Sequence, residues 1–327
     1  GFLSTEDSAL PGNLGLKDQI YGLQWIKENI KNFGGDPKQI TVFGEGTGGS
    51  SAHLHMYSPL SKGLFHRCIS MSGTALSPFA VLPPGVGKYR GLQFLTSLGC
   101  KSNDTNTTLD CLRSKKANDI INAQKLFYVW DLEPIVIFGP VVEIPTRNSF
   151  ITVHPFKTRS THLPWMTGIS SGEGLLRTAR FIIKPDSYAN FSNNFNEMAP
   201  IMLLFNNTSK NPRNVSESIR NYYFGSNTIT ESSIKNLTDM YTDGVFLYPT
   251  IESLKKHPGP SYLYYFNYLG KSSNFDFLSK KRVINESAHS DELIYIFNST
   301  QFSKIEGRDE AISATLIKYI TNFVISG

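Results

Sequence analysis

The sequence is short of charge, short of cysteine, and without any long apolar run. Asp, Glu, Lys and Arg make up 18% of the 327 residues, and 32 basic against 27 acidic side chains leave a net charge of +5. So thin an excess does not make a nucleic-acid-binding surface. Lys115-Lys116 and Lys280-Lys281-Arg282 are short clusters in polar stretches and read as solvated faces. No apolar stretch approaches the roughly 18–20 residues that span a bilayer. The longest, 134–142 and 199–205, are expected to be buried strand or helix pieces. There is no internal repeat, linker or low-complexity block, and the length suits one large domain or two small ones. Nothing in the chain calls for a metal ion or a cofactor. No signal peptide is visible, but the chain begins Gly-Phe-Leu-Ser-Thr without methionine. Its natural start is expected upstream, and the missing signal excludes nothing.

What is present is a globular composition, 40% hydrophobic and 12% aromatic, unlike that of a disordered chain. Asn-X-Ser/Thr sequons occur at Asn103, Asn106, Asn190, Asn206, Asn207, Asn214, Asn236, Asn285 and Asn298. One sequon arises by chance; this density fits a glycosylated protein of the secretory pathway, secreted or extracellular. Adjacent Asn206 and Asn207 are not both expected to carry glycans. In that oxidising setting the three cysteines can be sorted. Cys100 and Cys111 flank a polar stretch of turn composition, and a disulfide closing it would contribute about 2–3 kcal/mol. Cys68 lies in an apolar strand pattern and is expected to be a buried free thiol. The alternative is three unpaired buried thiols.

Along the chain, Ile20, Leu23, Ile26, Ile30 and Phe33 recur at helical spacing and predict a helix over 18–33, stopped by Gly34-Gly35. A β-rich run, Ile40-Thr-Val-Phe43, leads into the glycine-rich segment 44–49 and then into a stretch that can be helical. Strands are expected at 68–72, 165–169 and 262–268. Helices are expected at 109–124, at 311–325 and over most of 186–238. Strands alternating with helices predict an α/β architecture with a mainly parallel sheet.

The strand–turn–helix unit carries the chemistry. Phe43-Gly-Glu-Gly-Thr-Gly-Gly49 has the outer glycines of a G-x-S-x-G nucleophile elbow, Gly44 and Gly48, but its centre is Gly46. Around it stand Gly12-Asn-Leu-Gly-Leu-Lys-Asp-Gln19, Phe33-Gly-Gly-Asp-Pro37, Ser58-Pro-Leu-Ser-Lys-Gly-Leu-Phe-His-Arg67 and Ser70-Met-Ser-Gly73. With these segments in order, the chain resembles the type-B carboxylesterase/cholinesterase family, most closely the insect carboxylesterases. The resemblance implies an α/β-hydrolase fold, a single domain over 1–327 that is incomplete at both ends, and a triad in the order Ser, Glu or Asp, His. It puts the acid at Glu173 in Gly168-Ile-Ser-Ser-Gly-Glu-Gly174 and the base at His289 in Ala288-His-Ser-Asp-Glu-Leu293. The histidine lifts the nucleophile's proton, and the carboxylate fixes its tautomer and stabilises its charged form. His53, His55, His66, His154, His162 and His257 read as structural or exposed.

The resemblance also implies an oxyanion hole, one of whose donors is the N–H of Thr47. The His-Gly-Gly loop that would supply the others does not occur in these residues. Losing such a donor costs about 10²–10³ in kcat, whereas losing the serine costs about 10⁶. The missing hydroxyl therefore dominates. The expected function is carboxylic-ester hydrolysis through an acyl-enzyme in the lineage, with this copy impaired at Gly46. The alternative is a non-catalytic relative that binds, adheres or sequesters ligands. The expected partner is a small hydrophobic ester, not nucleic acid; a membrane or protein partner stays open.

Overall fold

The computed structural model describes residues 1–280, 282, 284–302 and 304–327; Lys281 of the second basic cluster lies outside the described residues. Four strands form one sheet in the order β1-β2-β3-β4: β1 Thr41–Glu45, β2 Arg67–Met71, β3 Trp165–Ser170 and β4 Ser261–Phe266. All three pairings are parallel, with Phe43 against Ile69, Ser70 against Thr167 and Gly168 against Tyr264. Parallel neighbours need crossovers, and a helix, Thr47–His55, lies in the crossover from β1 to β2. The α/β-hydrolase architecture expected from the sequence is the one found.

The sheet is covered on both faces, as parallel sheets are. Successive side chains alternate between faces. Val42, Cys68 and Trp165 pack with Ala52 and Met56 of the crossover helix and with Leu23 and Ile26 of helix Leu14–Asn29. Phe43, Ile69, Met71 and Met166 point the other way, onto Ile320, Phe323 and Val324 of the final helix, Arg308–Ser326. A third core lies beyond the strand ends. Here Phe181, Phe191, Phe195, Leu237, Tyr241 and Phe246 pack together from the helices between Leu175 and Leu247. No described helix is long and apolar enough to cross a membrane.

Two expectations need correction. The helix predicted over 109–124 is two helices, Thr105–Ser114 and Ala117–Ala123. Asp104 caps the first by accepting the Thr107 N–H at 2.7 Å, which moves its start upstream. Lys115 and Lys116 are extended and break the run. The stretch 134–142 is buried at Ile137 and Val141 but forms no helix or strand. Pro134 and Pro140 lack the N–H that either would use. The stretch 199–205, by contrast, enters helix Phe195–Met202. Cys100 and Cys111 are bonded, with Cα atoms 5.4 Å apart, and Cys68 is free and buried.

Candidate active site

The site begins at the end of β1. There the chain reverses through Gly46 at φ 58°, ψ −122°, and enters helix Thr47–His55. A side chain rarely adopts this conformation, and glycine does so at little cost. Gly44 is required for a different reason: a Cβ there would collide with the Gly48 carbonyl, so only glycine lets helix and strand meet this closely. The Gly46 N–H donates to Met71 O at 2.9 Å and pins the turn to β2.

Glu173 and His289, the expected acid and base, converge on this turn. Glu173 follows β3 and is fully buried. Its Oε1 accepts the Ser170 N–H at 2.7 Å and the Ser72 hydroxyl at 2.5 Å. Its Oε2 meets His289 Nδ1 at 2.6 Å. The loop of His289 is tied to the loop of Glu173, since the Gly172 N–H donates to Ser287 O at 2.8 Å. It is tied to itself by Asp291, which accepts the Ala288 N–H at 2.8 Å and the Asn274 N–H at 2.7 Å. A Cβ built on Gly46 would stand 2.9 Å from His289 Nε2. The second imidazole nitrogen, Nε2, thus faces the central elbow position, which has no side chain.

Two carboxylates absent from the expected triad complete the site. Glu45 Oε1 lies 3.0 Å from His289 Nε2. Glu292, also fully buried, accepts from Ser170 Oγ and Tyr264 OH, each at 3.0 Å. Burial raises the Glu292 pKa and Glu173 raises it further. Burial on its own would lower the pKa of His289, but Glu173, with Glu45 and Glu292 behind it, carries it up to about 9. The sequence signals for this pair were weak. Glu45 is the variable residue of the elbow frame, and Glu292 is the second of an acidic pair in an apolar setting.

The two serines of the following helix turn are engaged elsewhere. Ser50 Oγ donates to Thr74 O at 2.8 Å, and Ser51 Oγ to Thr47 O at 3.0 Å. Thr47 opens the helix, where a first-turn N–H has no intrahelical acceptor. It lines a cavity of about 120 Å³ above the turn, together with Gly46, Phe79, Val136, Phe246 and His289. The segment Ile234–Lys256 is helical throughout but widens into a π-helical turn at Thr242–Leu247, which supplies Val245 and Phe246 to this cavity. Such turns recur at functional sites, and periodicity alone did not reveal this one. Among the other histidines, His53 stacks on Trp165 with centroids 4.1 Å apart, and His55 bonds Ser61 and Gln19. His66 accepts the Ile40 N–H and His154 the Phe156 N–H, while His257 bonds Ser160; none lines the cavity. No cluster able to hold a metal occurs among the described residues.

Comparison with known proteins identifies the family. The sequence model of the carboxylesterase family matches residues 1–327. Venom carboxylesterase-6 of Apis mellifera is 35% identical over 338 residues, covering 100% of this chain and 60% of that one. Esterase FE4 of Myzus persicae is 34% identical, with 100% and 59% covered. The chain therefore spans about 60% of the length of these relatives. A crystal structure of juvenile hormone esterase from Manduca sexta, with OTFP covalently attached, superposes with a TM-score of 0.84 at 26% identity. It covers 100% of this chain and 63% of that one.

Proposed function

This chain belongs to the carboxylesterase family, and from that premise we propose that it descends from enzymes that cleave carboxylic esters through an acyl-enzyme and has itself lost the covalent step. The observation that carries this reading is a retained acid–base pair around an empty position. Glu173 holds His289 Nδ1 at 2.6 Å, and Nε2 faces a residue 46 with no side chain. A base with no hydroxyl to deprotonate forms no acyl-enzyme.

A second reading, ligand binding without turnover, is favoured by the cavity itself. An engineered apolar cavity of about 150 Å³ admits benzene, so one of about 120 Å³, lined by Phe79, Val136, Met202 and Phe246, suits a short or single-ring apolar group. The Thr47 N–H would then meet a carbonyl oxygen of the ligand. The ligand class on both readings is a small hydrophobic ester or its analogue. The eight sequon asparagines Asn103, Asn106, Asn190, Asn206, Asn214, Asn236, Asn285 and Asn298 are exposed, which supports a secreted glycoprotein.

The test is covalent labelling by an organophosphate. The full-length protein should take up no label at residue 46, and Gly46→Ser should take it up and hydrolyse short acyl esters. Label on the unmutated protein within the cavity would refute the reading. A folded, ligand-binding Gly46→Ser protein that stays unlabelled would favour the second.

A further inference from the structure

Glu45 is the last residue of β1 and directly precedes the residue without a side chain. Its Oε1 stands 3.0 Å from His289 Nε2, while Glu173 Oε2 stands 2.6 Å from Nδ1, so the imidazole is spanned at both nitrogens. That Glu45 oxygen is buried and completes no hydrogen bond; its contact with the ring is ionic. The ring position depends on glycine. A Cβ on residue 46 would come within 2.9 Å of Nε2, too close to be accepted without movement of one or the other.

We infer that Glu45 is a positioning residue whose carboxylate closes on His289 Nε2, the nitrogen a nucleophile's hydroxyl would engage, so that the ring is clamped between two carboxylates. The inference rests on the reading that this copy has lost its covalent step, and it goes further. A water molecule at the site could in principle replace the serine, provided His289 could accept its proton at Nε2. A charged ring paired with both carboxylates has no lone pair at Nε2 to take that proton, so that route is closed as well.

The charged neighbours agree. Facing the ring are Glu45 from β1, Glu173 from the loop after β3 and Glu292 from the loop of His289 itself. On the cavity side stand Phe246, with ring centroids 5.1 Å apart, Tyr241 and Arg177. The Arg177 guanidinium is already engaged by Glu133. Burial raises the pKa of Glu45, while His289 and Ser290 draw it back down. The carboxylates outweigh burial at His289 and hold it protonated up to about pH 9.

The test is a histidine NMR titration of the full-length protein, with the His289 signal identified by its loss in His289→Gln. The unmutated protein should show His289 titrating near pH 9. Removing the charge by Glu45→Gln should lower that midpoint by about 1–3 pH units, the usual effect of an opposite charge at this range. Gly46→Ala, which forces the ring away from Glu45 without adding a hydroxyl, should lower it in the same direction and serves if Glu45→Gln does not fold. A purely structural Glu45 would move neither. A shift of about one unit or more in either variant supports the clamp. A smaller shift in both, or an unmutated midpoint in the ordinary histidine range, overturns it. Failure here leaves the labelling result untouched, and labelling of the unmutated protein would sink the functional reading without moving the titration.

Discussion

Restoring the hydroxyl should cost stability while it supplies chemistry, and the elbow geometry sets the size of that cost. At φ 58°, ψ −122°, residue 46 is in a region that glycine enters freely and a side chain enters under strain. Strain of this kind costs on the order of 1–3 kcal/mol. The new Cβ also starts 2.9 Å from His289 Nε2, so the ring must give way and leave Glu45. Gly46→Ser should therefore fold with a thermal midpoint lower by about 2–4 °C, given the unfolding entropy per residue typical of globular proteins and a chain of 327 residues. Differential scanning calorimetry on the two proteins reads this directly, and the labelling assay reads the chemistry on the same samples. An unchanged or raised midpoint would refute the argument that glycine relieves strain here. A drop far beyond about 4 °C would mean that the ring cannot move aside.

Other perturbations test the surroundings. Glu133 is buried between Arg177 and Arg180, which it joins to the loop beside the cavity; Glu133→Gln should cost about 3–5 kcal/mol in urea denaturation, as expected for breaking a buried ion pair from one side. The Cys100–Cys111 bridge closes a short loop, and Cys100→Ser together with Cys111→Ser should cost about 3 kcal/mol by the same measurement. His53 and His55 are buried, and burial lowers their pKa values to about 3 and about 4. Their folded values lie below the unfolded one, so the stability they contribute is complete above about pH 6.5 and is lost as pH falls toward 3. Urea midpoints at pH 7, 5 and 4 should fall in that order, and His53→Phe should flatten the trend.

The order of the site was legible in the sequence because it depends on spacing and on backbone chemistry. Gly44, Gly46 and Gly48 mark a turn that few residues can make, and Glu173 and His289 stand in segments that the family resemblance picks out. The strands were legible too, since Cys68-Ile-Ser-Met71 is buried on both faces of a parallel sheet. What was not legible depends on contacts between distant segments. Asp104 captured a helix start four residues before the one expected at 109, because a cap acts through one hydrogen bond. The π-helical turn at Thr242–Leu247 lies beyond the helical region expected to end at residue 238.

Glu45 shows the same limit most sharply. In the sequence it is the unspecified residue of an elbow frame, and nothing about its spacing distinguishes it. Its effect arises because β1 ends where the loop of His289 arrives, 244 positions later by the numbering, and because glycine leaves the gap between them open. A missing side chain is easily read as a simple loss of function, with the remaining machinery left as it was. Here the gap also changes what the remaining groups do. An imidazole that can reach a second carboxylate gains a partner for each nitrogen and, held protonated, is no longer available as a base to anything else. The loss at residue 46 and the clamp by Glu45 are therefore coupled, and a variant that alters one should be read for its effect on the other.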